Sequence, residues 1–169
     1  TLVSERYNSS FLSCFMTLAE EAGYSAPNIV RRIVEEFPSF CDTSNYEVEK
    51  DGKKEIKEIV FNKRAQLLVS DIYQMLGDHI SRDQTTSVKI RYIDRLTACA
   101  DYILPMVLRY HGALEYSPEL SGKVGNSQQI PKDSVEEIEI RGNTLLAVEL
   151  IKKEMQKRAC CEDRAQSVA

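Results

Sequence analysis

The residues best suited to chemistry lie in an apolar stretch near the middle of the chain, residues 96–105. This stretch carries a carboxylate at Asp101, and Tyr102 follows it directly. Burying an ionised carboxylate without a partner is costly, so a chain that keeps one there pairs it or uses it. Pro105 interrupts a helix because it lacks an N–H. We therefore place Asp101 at a helix-to-helix junction, where it either takes part in chemistry or only caps the helix containing Pro105.

Other side chains could complete a site with Asp101: cations for an anionic ligand, carboxylates for acid–base work and an aromatic ring. The full set is Lys63, Asp71, Asp101, Tyr102, Glu139 and Arg141. Lys63 and Arg64 fall in the first turn of a predicted helix, where cations oppose the helix dipole. Two interpretations stay open for this pair: an anion lies nearby, or both are solvated surface cations. The spacing alone does not show that the six side chains meet.

Composition and charge exclude several classes of protein. The 169 residues are 43% hydrophobic and 28% charged, which is typical of a globular chain with a real core. A net charge of −4 argues against broad binding to a nucleic-acid backbone. No membrane span or signal peptide is recognisable, and the spacing of the cysteines and histidines argues against a zinc site. Five cysteines without a C-x-x-C pair favour reduced thiols and a cytoplasmic location.

The elements that must position these residues are predicted to be nearly all helical. Caps and apolar stripes predict helices over residues 9–22, 26–37, 61–76, 90–100, 104–111, 117–125 and 134–158. Glycines at positions 23, 77 and 112 are predicted to end three of them. The last helix starts at a capping box, and its predicted buried stripe consists of Val135, Ile138, Leu145, Val148, Ile151 and Met155. On the same helix, Glu137 and Arg141 are spaced to form an i, i+4 pair.

The segments between the helices have distinct characters. Residues 42–57 alternate in polarity around Asp51-Gly52, which predicts a small, mostly exposed β-hairpin. Residues 78–90 and 126–133 are polar and are predicted to be loops. Residues 159–169 are expected to be a frayed tail. The predicted fold class is therefore all-α, with one hairpin-like excursion.

Several blocks of the sequence resemble the queuosine salvage family, the queuosine 5′-phosphate N-glycosylases/hydrolases. They are residues 25–42, KRAQLLVSD at 63–71, LTACADY at 96–102, LEYSPEL at 114–120, VEEIEIRG at 135–142 and AVEL at 147–150. They occur in the family's order with similar spacing. The resemblance matches only the C-terminal half to two-thirds of the family pattern. We therefore expect residues 1–158 to be the C-terminal portion of a larger helical domain, whose N-terminal segment would be a partner.

The resemblance implies a fold similar to that of DNA glycosylases. It also implies hydrolysis of the N-glycosidic bond of queuosine 5′-monophosphate, which releases queuine for reuse in tRNA modification. No metal or organic cofactor is implied, and no membrane or nucleic-acid partner. Carried onto the motifs of this chain, the catalytic residues are Lys63 and Asp101, and Tyr102 follows in the same block. This chain has Ile103 where the family usually has Arg.

The implied chemistry suits these residues. Breaking a ribosyl C–N bond passes through an oxocarbenium-like state, which a carboxylate such as Asp101 stabilises while it activates water. Lys63 would pair with the 5′-phosphate or keep Asp101 ionised. Tyr102 would line the pocket or pack in the core. Arg141 would contact the substrate or form a supporting ion pair with Glu139.

Asp71 lies two turns along the helix from Lys63 and is expected to be structural support. Two other functions stay open beside the hydrolase. One is a non-catalytic nucleotide-binding or interaction module, suggested by Ile103 and the missing segment. The other is a glycosylase acting on nucleic acid, suggested only by similarity of fold.

Overall fold

The computed structural model describes residue 7 and residues 10–80 and 89–166. These residues form six α-helices, two short 3₁₀ turns and a two-stranded hairpin, which confirms the predicted, mostly helical class. The chain divides into two compact units. The first unit is Thr1–Thr43 with Val60–Thr97, and the second is Ser44–Ile59 with Ala98–Ala169.

Three helices build the first unit: α1 (Phe11–Glu21), α2 (Ala26–Glu36) and α3 (Lys63–Ile80). The hydroxyl of Ser10 caps α1 by accepting a hydrogen bond from the Ser13 N–H at 3.2 Å. Gly23 ends α1 as predicted, because its φ of +60° suits the left-handed turn that closes a helix.

Apolar side chains of these helices form one buried cluster together with Ala22 and Ile90, which lie outside them. Its members are Cys14, Phe15, Leu18, Ala19, Ala22, Ala26, Ile29, Val30, Ile33, Ala65, Val69 and Ile90. The helical members recur at helical spacing along α1, α2 and α3, so each helix turns one apolar stripe toward the cluster. The first unit therefore has a core of its own.

Helix α3 runs through Gly77 to Ile80, so the predicted end at Gly77 is wrong. A glycine inside a helix costs only about 1 kcal/mol, which the buried stripe around Ala65 and Val69 outweighs. Part of the predicted loop over residues 78–90 is thus helical, and residues 81–88 lie outside the described residues.

The predicted helix over residues 90–100 is also wrong, because its backbone is paired elsewhere. The Arg91 N–H donates to the Tyr24 carbonyl at 2.7 Å, and the Arg91 carbonyl accepts from the Ala26 N–H at 2.9 Å. Tyr92 is left-handed with φ +60°, which a helix does not permit. Only one 3₁₀ turn follows, at Ile93–Arg95. Asp101 consequently follows irregular chain rather than a helix.

The second unit contains most of the predicted hairpin. Its strands are β1 (Thr43–Lys50) and β2 (Lys53–Val60). Asp51 and Gly52 join them with φ values of +53° and +71°, the two left-handed residues of a type I′ turn. The prediction made from Asp51-Gly52 is confirmed.

Three helices complete the second unit: α4 (Ile103–Tyr110), α5 (Pro118–Gly125) and α6 (Val135–Gln166). Helix α4 ends at Gly112, whose φ is +72°, in a Schellman motif closed by a 2.8 Å hydrogen bond from the Ala113 N–H to the Leu108 carbonyl. Helix α5 begins as predicted, because the Ser117 hydroxyl accepts from the Leu120 N–H at 3.2 Å.

Helix α6 starts at the predicted capping box. The Ser134 hydroxyl accepts from the Glu137 N–H at 3.2 Å, while the Glu137 carboxylate reaches back to the Asp133 N–H at 3.1 Å. The helix continues to Gln166, so residues 159–166 of the predicted tail are helical. Of its predicted stripe, Ile138 is buried, whereas Val135, Ile151 and Met155 are exposed.

Candidate active site

Asp101 lies two residues before α4, and its side chain binds the first turn of that helix. Its Oδ1 accepts hydrogen bonds from the N–H groups of Ile103 at 2.8 Å and Leu104 at 3.4 Å. Pro105 needs no such partner, because a proline in the first turn has no N–H to satisfy. Asp101 therefore caps α4, which was one of the two interpretations. Capping uses one oxygen of the half-buried carboxylate and holds the group in a fixed orientation.

The two residues after Asp101 point away from any core. The Tyr102 residue is 80% exposed and Ile103 is 46% exposed. Core packing, one of the alternatives for Tyr102, is therefore wrong. An exposed ring beside a fixed carboxylate is available to stack on a planar ligand such as a base.

Lys63 is the first residue of α3, and its position is set by Asp42. The Lys63 N–H donates to Asp42 Oδ2 at 3.2 Å, and the Asp42 N–H donates to Asn62 Oδ1 at 3.2 Å. Asp42 thus caps α3 from a preceding segment. Within the described part of the first unit, no carboxylate forms an ion pair with the half-buried Lys63 ammonium. Its charge is available for an anionic ligand.

The neighbouring cation has a structural explanation. The guanidinium of Arg64 lies over the Phe40 ring, 5.2 Å from its centroid, and donates to the Ser39 carbonyl at 3.4 Å. Contacts within the protein therefore explain Arg64. Of the two cations in the first turn of α3, only Lys63 is left as a candidate for binding an anion.

Asp71 lies two turns along α3 from Lys63, which corresponds to about 12 Å along the helix axis. Its side chain is exposed. At that separation the two groups do not contact each other directly, so any support that Asp71 gives to Lys63 acts at a distance.

Arg141 and Glu139 lie on α6, and each has a partner elsewhere. The Arg141 guanidinium bonds to the Glu137 carboxylate at 3.2 Å, which confirms the predicted i, i+4 pair. The Arg141 and Glu137 side chains are only 11% and 23% exposed. Glu139 Oε1 accepts a 2.7 Å hydrogen bond from the Tyr46 hydroxyl. This bond to a carboxylate raises the pKa of Tyr46, because it stabilises the protonated phenol.

The sequence did not reveal how the hairpin is held. The buried Ser44 hydroxyl donates to Asp133 Oδ1 at 2.7 Å, beside the bond from Tyr46 to Glu139. Both anchors lie on one face of β1, since side chains two residues apart share a face of a strand. The alternation in polarity around Tyr46 was the signal that could have indicated these contacts, but it was interpreted only as evidence for an exposed hairpin. The start of α6 is thus fixed by β1 from 93 residues away in the sequence.

The candidate residues divide between the two units. Lys63 and Asp71 belong to the first unit. Asp101, Tyr102, Glu139 and Arg141 belong to the second, where α4 packs against α6. Among the described side chains, no three His, Cys, Asp or Glu lie close enough together to hold a metal ion. None of the helices in the described part of the chain is long and apolar enough to cross a membrane.

Comparison with known proteins gives one consistent family. Residues 1–169 match the sequence model of the queuosine salvage protein. A relative from Mus musculus is 37% identical over 154 residues, which are 89% of this chain and 39% of that protein. One from Sphaerobacter thermophilus is 32% identical over 166 residues, 98% of this chain and 46% of that protein. Both are named queuosine 5′-phosphate N-glycosylase/hydrolase, and the chain spans less than half the length of either.

Proposed function

The chain belongs to the queuosine salvage protein family, and we propose that the complete protein hydrolyses the N-glycosidic bond of queuosine 5′-monophosphate. The product, queuine, would be reused in tRNA modification. The match over the whole chain carries this proposal, and the shared name of the relatives supports it. The proposal includes a helical arrangement similar to that of DNA glycosylases and a cytoplasmic location. It also includes an N-terminal family segment as a partner of this chain.

Asp101 is the proposed catalytic carboxylate. Cleavage of the ribosyl C–N bond develops positive charge at the anomeric carbon, which a nearby carboxylate stabilises. The two backbone N–H groups of α4 hold Oδ1, so Oδ2 is the oxygen that can face the sugar or activate water. A fixed carboxylate needs no reorganisation when the charge develops, which is the advantage of a preorganised site.

The other candidates have binding and supporting roles in this proposal. Lys63 provides positive charge for the 5′-phosphate or for Asp101. Tyr102 stacks on the base, as its exposure permits. Arg141, oriented by Glu137, contacts the substrate. Glu139 and Asp71 support the site, and the reaction requires no metal or organic cofactor.

The test separates catalysis from capping. The complete protein is incubated with queuosine 5′-monophosphate, and queuine is measured by chromatography. Asp101→Asn keeps an oxygen that can accept both N–H bonds but removes the charge. We expect it to lower turnover by roughly 10²–10⁴-fold with little change in melting temperature.

The matched control is Asp51→Asn at the exposed hairpin turn, where Asn is equally suited to the left-handed conformation. It should leave turnover unchanged. Near-normal turnover in Asp101→Asn would remove Asp101 from the chemistry and leave it as a helix cap.

A second candidate function is a non-catalytic nucleotide-binding module. The observation that favours it is Ile103, a partly exposed apolar side chain two residues after Asp101, where the family usually has Arg. In that case, queuosine 5′-monophosphate raises the melting temperature of the protein without release of queuine. Ile103→Arg, which restores the usual residue, would then create or strongly increase turnover. If the unchanged protein already releases queuine, the non-catalytic function is excluded.

A further inference from the structure

Helix α6 carries an apolar stripe that the described residues of its own unit leave largely exposed. Asn143, Leu146, Ala147, Leu150 and Ile151 recur at the i, i+3, i+4, i+7, i+8 spacing of a helix face that is normally buried. Leu146 and Leu150 are nevertheless 56% and 55% exposed. Single exposed leucines are ordinary, but a repeated stripe on one helix face indicates a surface that binds something.

The stripe forms one wall of a groove of about 270 Å³. Ala113 and Leu114, which follow the end of α4, form the other wall. Six of the seven lining side chains are apolar, and Asn143 is the exception. A groove of this kind between two elements is suited to the apolar face of a helix, which anchors at i, i+3 or i+4 and i+7.

Exposed apolar side chains continue on α4, which packs against α6. Met106, Val107 and Tyr110 are all exposed there, and Met155 is exposed one turn beyond Ile151 on α6. The exposed apolar side chains of the unit are therefore concentrated on these two helices. Monomeric proteins rarely leave apolar patches of such extent in contact with water.

The lengths of the relatives indicate what covers this face. The matched regions are 39% of the Mus musculus relative and 46% of the Sphaerobacter thermophilus relative, so more than half of each protein lies outside the match. We propose that the groove between α6 and residues 113–114, with the adjoining face of α4, binds a helix from the part of a queuosine salvage protein that lies outside the matched region. This inference rests on membership of the family and on the exposed stripe. It does not depend on the proposed hydrolysis.

The test measures binding rather than turnover. The part of the Sphaerobacter thermophilus relative outside the matched region is expressed with an affinity tag and mixed with this chain. We expect a 1:1 complex by light scattering after gel filtration. Leu146→Glu with Leu150→Glu should weaken it by roughly 100-fold, because charged groups would be buried in an apolar contact.

The matched control introduces the same charges on helices of the first unit. Leu12 and Leu67 are exposed leucines on α1 and α3, so Leu12→Glu with Leu67→Glu should leave the affinity unchanged. Far-ultraviolet circular dichroism checks that both double variants keep their helices. Loss of binding in both, or in neither, would overturn the proposed surface.

The remaining arms test the occupant. The matched region of the Sphaerobacter protein should bind the rest of that protein in the same assay. If that pair does not form, or if it forms and this chain does not join, the proposed occupant is wrong. A stable dimer of this chain alone that is lost in Leu146→Glu with Leu150→Glu would assign the face to a second copy and also overturn the proposal.

Discussion

The two units bury their apolar side chains very differently. In the first unit, α1, α2 and α3 enclose a continuous cluster in which Phe15, Leu18, Ile29, Ile33 and Val69 are almost fully buried. In the described part of the second unit, the buried apolar side chains apart from a proline are Ala100, Leu108 and Ile138. The second unit instead relies on polar contacts, which join the hairpin and α5 to α6.

This difference has an energetic meaning. Burying a large apolar side chain contributes about 1.5–3 kcal/mol, whereas a typical hydrogen bond contributes a net 0.5–1.5 kcal/mol. The contacts within the first unit therefore stabilise it more strongly than the contacts within the second unit stabilise that unit. The second unit carries Asp101, Tyr102 and Arg141, and exposes the apolar face of α6. Elements that bind ligands and partners are often drawn from the less stable parts of a fold.

The largest effect should come from the core of the first unit. Phe15→Ala removes a fully buried ring from α1 and should lower the free energy of unfolding by about 3–5 kcal/mol. Leu146→Ala on the exposed face of α6 should change it by less than about 0.5 kcal/mol. Urea unfolding followed by circular dichroism gives both values. Similar losses in the two variants would show that the face of α6 is already covered in this chain.

The next effect concerns the ion pair of the second unit. Arg141→Met removes a guanidinium that is only 11% exposed and leaves the Glu137 carboxylate with a reduced set of partners. We expect a loss of about 1–3 kcal/mol, since truncating one partner of a half-buried polar pair leaves the other unsatisfied. Hydrogen exchange should show the loss at the amides of α6. Equal loss of protection across α1 and α2 would mean that the two units unfold together.

A smaller effect is expected at the start of α4. Asp101→Ala removes the cap from the N–H groups of Ile103 and Leu104 and should cost about 1 kcal/mol. Asp101→Asn should retain most of that stability, because its amide oxygen can accept the same bonds. Thermal unfolding of the two variants separates them. Equal destabilisation would show that the charge of Asp101, rather than the cap, stabilises the second unit.

The smallest effect is pH-dependent and lies at the hairpin. The bond from Tyr46 to Glu139 raises the tyrosine pKa, so its contribution is complete below about pH 10, where an unfolded tyrosine ionises. The contribution is lost as the pH rises through the raised pKa of the folded state. Tyr46→Phe should lower the melting temperature slightly at pH 8 and reduce its decline at alkaline pH. Absorbance of tyrosinate at alkaline pH should also lose one late-titrating component.

Tyr110 supplies the matched control, because its residue is 86% exposed and it lies in the same unit. Tyr110→Phe should leave the alkaline decline unchanged. If it changes the decline as much as Tyr46→Phe, then general tyrosine ionisation explains the pH dependence and the bond to Glu139 does not.

The local contacts of the candidate residues could be anticipated from residue types and short motifs, but their distant contacts could not. The sequence anticipated the cap that Asp101 provides and the pair of Glu137 with Arg141, because both depend on residues at most four positions apart. It did not show that Tyr46 binds Glu139 or that Ser44 binds Asp133, since those partners are 93 and 89 positions apart. The division of the candidates between two units was equally invisible, because no local pattern marks it.

The sequence by itself determined the elements whose signals are local. Ser10, Gly23, Asp51-Gly52, Ser117 and Gly112 each act through backbone groups a few residues away, so their helix ends and turn were predicted correctly. Only the tertiary structure decided that residues 90–100 are not a helix, because the Arg91 backbone pairs with Tyr24 and Ala26. It likewise decided that the stripe of α6 is largely exposed. A stripe predicts that a helix face can be buried, but burial requires a neighbour, and the periodicity of one helix does not specify that neighbour.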